Sequence, residues 1–142
     1  MSDGPDNEHR RPEGLDDTTV EALGKLSEAL EMIERVRGHL YSMHQLIGEA
    51  DFKLDDAVDL LRKAGHEQLA QRVQNELIGR NVIEGRWTFQ VVEEFDDLYY
   101  AEFKGIEKDA RDQLAQGKRH LYEAELKEQR RTKGRRGHEA RP

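Results

Sequence analysis

The sequence predicts an all-α fold: a helical bundle of two long helices plus a short helical pair. Three observations carry this. Leu23, Leu26, Leu30, Ile33, Arg37, Leu40, His44 and Ile47 recur at steps of three and four, a heptad seam of the kind that packs long helices at a shallow angle. Val92, Phe95, Tyr99, Phe103, Ile106, Ala110 and Leu114 repeat the pattern near the other end of the chain. No stretch alternates apolar and polar residues as a strand does, and no Asn-Gly hairpin signal occurs.

Taken in order, residues 1–17 read as a disordered acidic leader, polar and broken by Gly4, Pro5, Pro12 and Gly14. Thr18-Thr19-Val20-Glu21 fits a capping box that opens the first helix, over about residues 19–47. Gly38 lies inside that helix, where it suggests a close helix approach, and Gly48 is expected to end or bend it. A second helix then carries Leu54, Ala57, Val58, Leu61 and Ala64, with Asp51, Asp55 and Asp56 at its dipole-favoured start, and stops at Gly65. A third, short one holds Leu69, Ala70, Val73, Leu77 and Ile78 and ends near Gly79.

The aromatic stretch of residues 85–100 organises the rest. It contains the only Trp, two of the four Phe and two of the four Tyr residues. After a loop at residues 80–86, Thr88 is the expected N-cap of the last helix, with Trp87 and Val92 spaced as a hydrophobic staple. On the wheel Glu93, Glu94, Asp97 and Tyr100 face away from the stripe, Asp96 lies at its edge, and Glu102 points inward. The helix is expected to run on through Gly117. Residues 127–142 hold seven Lys or Arg against two acids and read as a disordered basic tail. The bundle domain is therefore placed at residues 18–126.

Composition bounds the function. The chain has 142 residues, enough for one working core. A net charge of −7 disfavours wholesale nucleic-acid binding, and the absence of Cys excludes thiolate chemistry and disulfides. No secretory h-region and no membrane-length apolar run is present, so a cytoplasmic protein without a membrane partner is expected.

No glycine-rich phosphate loop, Gly-x-Ser-x-Gly elbow or zinc spacing occurs, so no cofactor is expected. A carboxylate-bridged metal site normally uses Glu-x-x-His, which is missing; only the reverse, His120-Leu121-Tyr122-Glu123, is found. Convergence of His39, His44, Asp96 and Glu102 is the remaining route to a metal, and no metal is expected. For acid–base work the best candidates are His44, Glu102 and Arg37, polar members of apolar seams. His66 and His138 sit in turn or tail contexts. The favoured account of the three candidates is a polar layer that fixes helix register, as polar seam residues do in coiled coils. If the long helices run antiparallel with position 33 opposite about 102, Arg37 holds Glu102, and Leu30, Ile33, Phe95, Tyr99 and Ile106 are buried.

Residues 85–100 and the run Arg130-Arg131-Thr132-Lys133-Gly134-Arg135-Arg136-Gly137-His138-Glu139 resemble stretches of a family of small uncharacterised prokaryotic helical proteins. The resemblance covers the C-terminal half and implies a helical fold without an assigned function or site. The expected role is a non-enzymatic helical module, coiled-coil-like in its seam, that forms a homodimer or docks a protein partner. The contending classes are a bundle enzyme or metal protein using His44 and Glu102, and an RNA- or ribosome-associated protein using the tail. Only Tyr122 stands near that tail to stack a base.

Overall fold

The computed structural model describes residues 3–142, so Met1 and Ser2 of the expected leader lie outside the described residues. The fold is all-α, with two long helices and shorter ones and no β-strand among the described residues. Helix α1 is Asp17–Lys63. Helix α2, Glu67–Arg72, runs into a π-helical turn at Val73–Leu77. Helix α3, Thr88–Phe95, passes through a second π-helical turn, Asp96–Tyr100, into α4, Ala101–Ala115. Helix α5 is Leu121–Arg130. These elements form two compact units: one from residues up to Ile33 together with Tyr100–Pro142, the other Glu34–Tyr99.

Gly48 neither ends nor bends α1. It sits in open space on the exposed side of an unbroken helix, and the seam of Leu40, His44 and Ile47 continues through Asp51, Leu54, Val58 and Leu61, all buried or half-buried. The predicted second helix is thus the last four turns of the first. A lone glycine costs about 1 kcal/mol in a helix, which a seam kept in phase on both sides outweighs. The start also differs from the expected Thr18 box: the Asp16 carboxylate accepts the Thr19 N–H at 2.7 Å, so Asp16 is the cap.

In the first unit, Val20 and Leu23 of α1 close a core with Ala115 and Leu121, and Leu15, Ala110 and Tyr122 pack around it. Helix α4 does not continue through Gly117. Gln116 and Gly117 both adopt left-handed backbone, the Gly117 N–H bonds the Arg111 carbonyl at 2.9 Å, and the chain turns into α5. The close-approach glycine is Gly24, not Gly38: a Cβ at Gly24 would sit 2.9 Å from Tyr122, whereas one at Gly38 would meet nothing within 4 Å. The leader makes specific contacts here. Arg11 holds Glu125 through two bonds, at 2.7 and 3.1 Å, and also reaches Asp17 at 2.8 Å.

In the second unit, Val58, Ala70 and Val92 are the buried apolar residues. The α2 segment ends at Gly79, whose N–H bonds the Asp51 carboxylate at 3.0 Å. Gly85, at positive φ, closes a tight turn in which the Arg86 N–H bonds the Ile83 carbonyl at 2.9 Å. Helix α3 opens with the Trp87 N–H donating to Gln90 Oε1 at 2.8 Å. Thr88 is therefore inside the helix rather than its cap, and the Trp87 indole meets Phe89 edge-on.

The π turn at Asp96–Tyr100 decides which residues face inward beyond it. Its i→i+5 bonds take in an extra residue, so three later inward positions arrive one residue after the 3.6 period predicts them, while Phe103 and Ala110 stay half-buried where it put them. Tyr99 and Ile106 are accordingly 55% and 53% exposed, and Leu114 is about half exposed. Their successors Tyr100, Glu107 and Ala115 are half-buried or buried instead. Leu30, Ile33 and Phe95 are half-buried, short of the full burial expected of them.

Candidate functional site

The polar seam residues of α1 find their partners on α3 and the π turn after it, in the second unit. Arg37 donates from Nε to Asp96 Oδ1 at 2.7 Å and from Nη2 to Asp96 Oδ2 at 3.1 Å, a fork on a carboxylate. Its guanidinium also lies over the Tyr41 ring, 5.2 Å from the centroid. Two turns on, His44 Nδ1 is 2.5 Å from Thr88 Oγ1. A step of seven along α1, from Arg37 to His44, accompanies a step of eight back along the partner, from Asp96 to Thr88. The helices therefore run antiparallel, as assumed from the sequence, though the carboxylate that meets Arg37 is Asp96.

Glu102 is exposed and does not form the interior pair expected of it. The inward carboxylate is Glu107, 6% exposed, in the first unit. It accepts from Arg111 Nε at 2.7 Å, and the Ser27 hydroxyl donates to it at 3.2 Å. Arg111 in turn donates to the Gly117 carbonyl at 3.2 Å, tying the pair to the end of α4. Sequence reasoning missed Glu107 because an unbroken 3.6 period put Ile106 there. Asp96, the first residue of the π turn, it placed only at the edge of the stripe.

The remaining candidates disperse. His39 and His66 are exposed, and His66 precedes α2 without capping it by its side chain. His120 stands 3.9 Å from Glu123 at the start of α5. His138 Nδ1 accepts the Thr132 N–H at 3.0 Å and so folds the tail onto itself. Among the described residues no group of three or more His, Asp or Glu side chains is placed to hold a metal ion.

Charge in the tail is partly engaged. Arg131 is gripped by both oxygens of Glu128, at 2.6 and 2.8 Å, which holds the Glu128 carboxyl below the usual carboxylate range. Arg141 reaches the carbonyls of Gly4 and Pro5, both at 3.2 Å. Arg11, Asp17, Val20, Glu21, Tyr122 and Glu125 line a shallow cleft of about 440 Å³ in the first unit, in which Arg11 is paired with Asp17 and Glu125.

A His beside a Thr hydroxyl is the first half of an activated-nucleophile pair, and the second half is a group that orients the imidazole from its other side. The structure gives the layer a simpler chemistry. Arg37–Asp96 and His44–Thr88 satisfy polar groups that α1 and the segment of α3 and its π turn bring together. Compared with known proteins, the chain matches no family model, no curated relative and no solved structure. That is consistent with the resemblance to a family without an assigned function, and it points to no domain of life. Among the described residues no helix is long and apolar enough to cross a membrane.

Proposed function

We propose that this chain is a non-enzymatic helical module, working in the cytoplasm, whose task is to dock protein surface. One observation carries the reading. Among the described residues seventeen large apolar side chains are exposed, while seven apolar residues are buried. Scattered apolar exposure is ordinary, but contiguous exposure marks interaction surface. Here Met32, Val36, Tyr41, Leu46, Phe52 and Leu60 are all exposed on α1, and Phe89, Leu98 and Tyr99 on α3 and its π turn. The alternative of an enzyme or metal protein draws less support, since Glu102 is exposed and His44 is bonded to Thr88. An RNA-binding role draws less too, because Arg131 and Arg141 are turned onto the chain itself.

A photo-crosslinking residue at Leu46, 61% exposed, tests this against the same residue at the exposed Asp59. A polypeptide adduct from position 46 and none from position 59, in living cells, is the expected result. Equal or absent adducts at both positions overturn the docking role.

A further inference from the structure

The leader is held in the first unit as a bound peptide would be. Arg11 and Leu15 stand four residues apart, and the Arg11 guanidinium donates to the Leu15 carbonyl at 3.0 Å, so the two anchors are tied together. The Arg11 fork grips Glu125 of α5 and reaches Asp17. Leu15, the only aliphatic residue in 3–16, packs on the core of Val20, Leu23, Ala115 and Leu121. Lys118 adds a main-chain contact, donating to the Arg10 carbonyl at 2.9 Å. A charged anchor, an apolar anchor and a bond to the backbone are what a peptide-binding cleft offers.

The hold is weak for its extent. No helix or strand runs through residues 3–16. The ion pairs lie at the surface, with the side chains of Arg11, Glu125 and Asp17 29%, 31% and 96% exposed, and such pairs stabilise little. Leu15 is only half-buried. Few buried contacts and exposed bonds put a segment at the low-stability end, where local opening starts. Opening would leave a cleft lined by three carboxylates, Asp17, Glu21 and Glu125. With Arg11 withdrawn, no other Lys or Arg among the described residues lines it. Beside the carboxylates lies the apolar socket that Leu15 fills.

We infer that the leader is a strap closing a docking site between the start of α1 and α5, and that the open site takes a polypeptide segment presenting an arginine and, four residues on, a leucine. Charge complementarity sets the first anchor, since three carboxylates want a cation. The socket under Leu15 sets the second. Strap and partner compete for the same groups, so the leader acts as a built-in inhibitor. A tethered segment competes at a local concentration on the order of millimolar, which keeps the site closed until a partner segment is abundant or the Arg11 fork is lost. The site is confined to the first unit and independent of the exposed apolar side chains behind the docking role proposed above, so either can fail alone.

Fluorescence anisotropy of a labelled synthetic peptide of residues 3–16 tests the strap, with the 142-residue chain in its native form and as Arg11→Gln. Arg11→Gln loosens the leader while keeping Leu15 and the Asp16 cap. The expected result is saturable binding to the Arg11→Gln chain, binding at least about 10-fold weaker to the native chain, and none to an Arg11→Gln chain that also carries Glu125→Lys. Peptides carrying Arg11→Glu or Leu15→Asp should each bind at least about 10-fold more weakly than the native peptide. No binding to any chain at up to about 1 mM peptide overturns the inference. Equal binding to the native and Arg11→Gln chains overturns it too, because the leader then closes nothing. A peptide that binds regardless of Leu15→Asp reports a bare cation site, and one that binds regardless of Arg11→Glu reports a greasy patch; each refutes the two-anchor segment. Should a variant chain lose its helical circular dichroism, the native chain decides. An excess of peptide with a photo-crosslinking residue in place of Leu15 should attach beside Val20 or Leu121, and attachment elsewhere or nowhere overturns the inference.

Discussion

Replacing Glu107 by Ala separates the structure from the sequence period more sharply than any other single change. The Glu107 and Arg111 side chains are 8% and 12% exposed and meet at 2.7 Å. Removing the carboxylate strands Arg111 with the Gly117 carbonyl as its remaining partner and leaves the Ser27 hydroxyl without its acceptor. Breaking a buried ion pair from one side costs about 3–5 kcal/mol. The retained bond to Gly117 and the partial exposure of Arg111 place this case at the low end, about 3 kcal/mol. Glu102→Ala is the matched control, one turn and a little earlier on the same helix but exposed, and should change stability by no more than about 0.5 kcal/mol. Urea unfolding followed by circular dichroism, with midpoints compared at a common slope, measures both. The reasoning fails if Glu102→Ala costs as much as Glu107→Ala, because the inward phase of α4 would then be the one the uninterrupted period predicts.

Three more outcomes follow from particular contacts. Gly24→Ala should destabilise by about 1–3 kcal/mol through the Tyr122 overlap, whereas Gly38→Ala and Gly48→Ala, which meet open space, should each stabilise by about 0.5–1 kcal/mol in thermal unfolding. Asp16, Asp112 and Glu128 are held below the ordinary carboxylate range by the hydroxyl and N–H of Thr19, by Lys108 and by Arg131 respectively. Their contribution is complete above the unfolded carboxylate pKa of about 4 and is lost as pH falls through the depressed folded values, so the melting temperature should hold from neutral pH to about pH 5 and fall below about pH 4; a rise on acidification would refute it. Deletion of Asp97, within the π turn, should be tolerated, whereas deletion of Gln45 from α1 should cost most of the stability, both read by melting temperature.

The legible parts of the fold are those where one periodicity rules a whole element. The α1 seam shows this: each member named from Leu23 to Ile47 is buried or half-buried, Arg37 and His44 included. So does the positive-φ glycine that closes the α2 segment, Gly79, since only a residue without Cβ takes that backbone without strain. What stayed hidden depends on long-range context. Gly48 has the chemistry of a stop, and only the continuing seam of Asp51, Leu54 and Val58 tells the chain to ignore it. Thr88 has the chemistry of a cap, but its hydroxyl is engaged by His44, a residue 44 positions away. The glycine that matters for close packing is set by where Tyr122 arrives, which no local pattern around Gly24 encodes.

The deletion of Asp97 follows from the same distinction. A π turn behaves as an α-helix holding one residue too many. Everything after it is already in the phase that a helix one residue shorter would have. Removing an exposed residue of the turn therefore restores i→i+4 bonding and leaves Tyr100, Phe103, Glu107 and Ala115 facing inward as before. Helix α1 has no such surplus. Removing Gln45, equally exposed, turns Ile47, Asp51, Leu54 and Val58 by about 100° away from their partners. Val58 would leave the core, and Asp51 would leave the Gly79 N–H that ends the α2 segment. Two deletions of equal size, both at exposed helical positions, are thus predicted to differ by most of the stability of the second unit. A Gln45 deletion as mild as that of Asp97 would mean that α1 can also absorb a one-residue slip, and that its polar pairs do not fix the register.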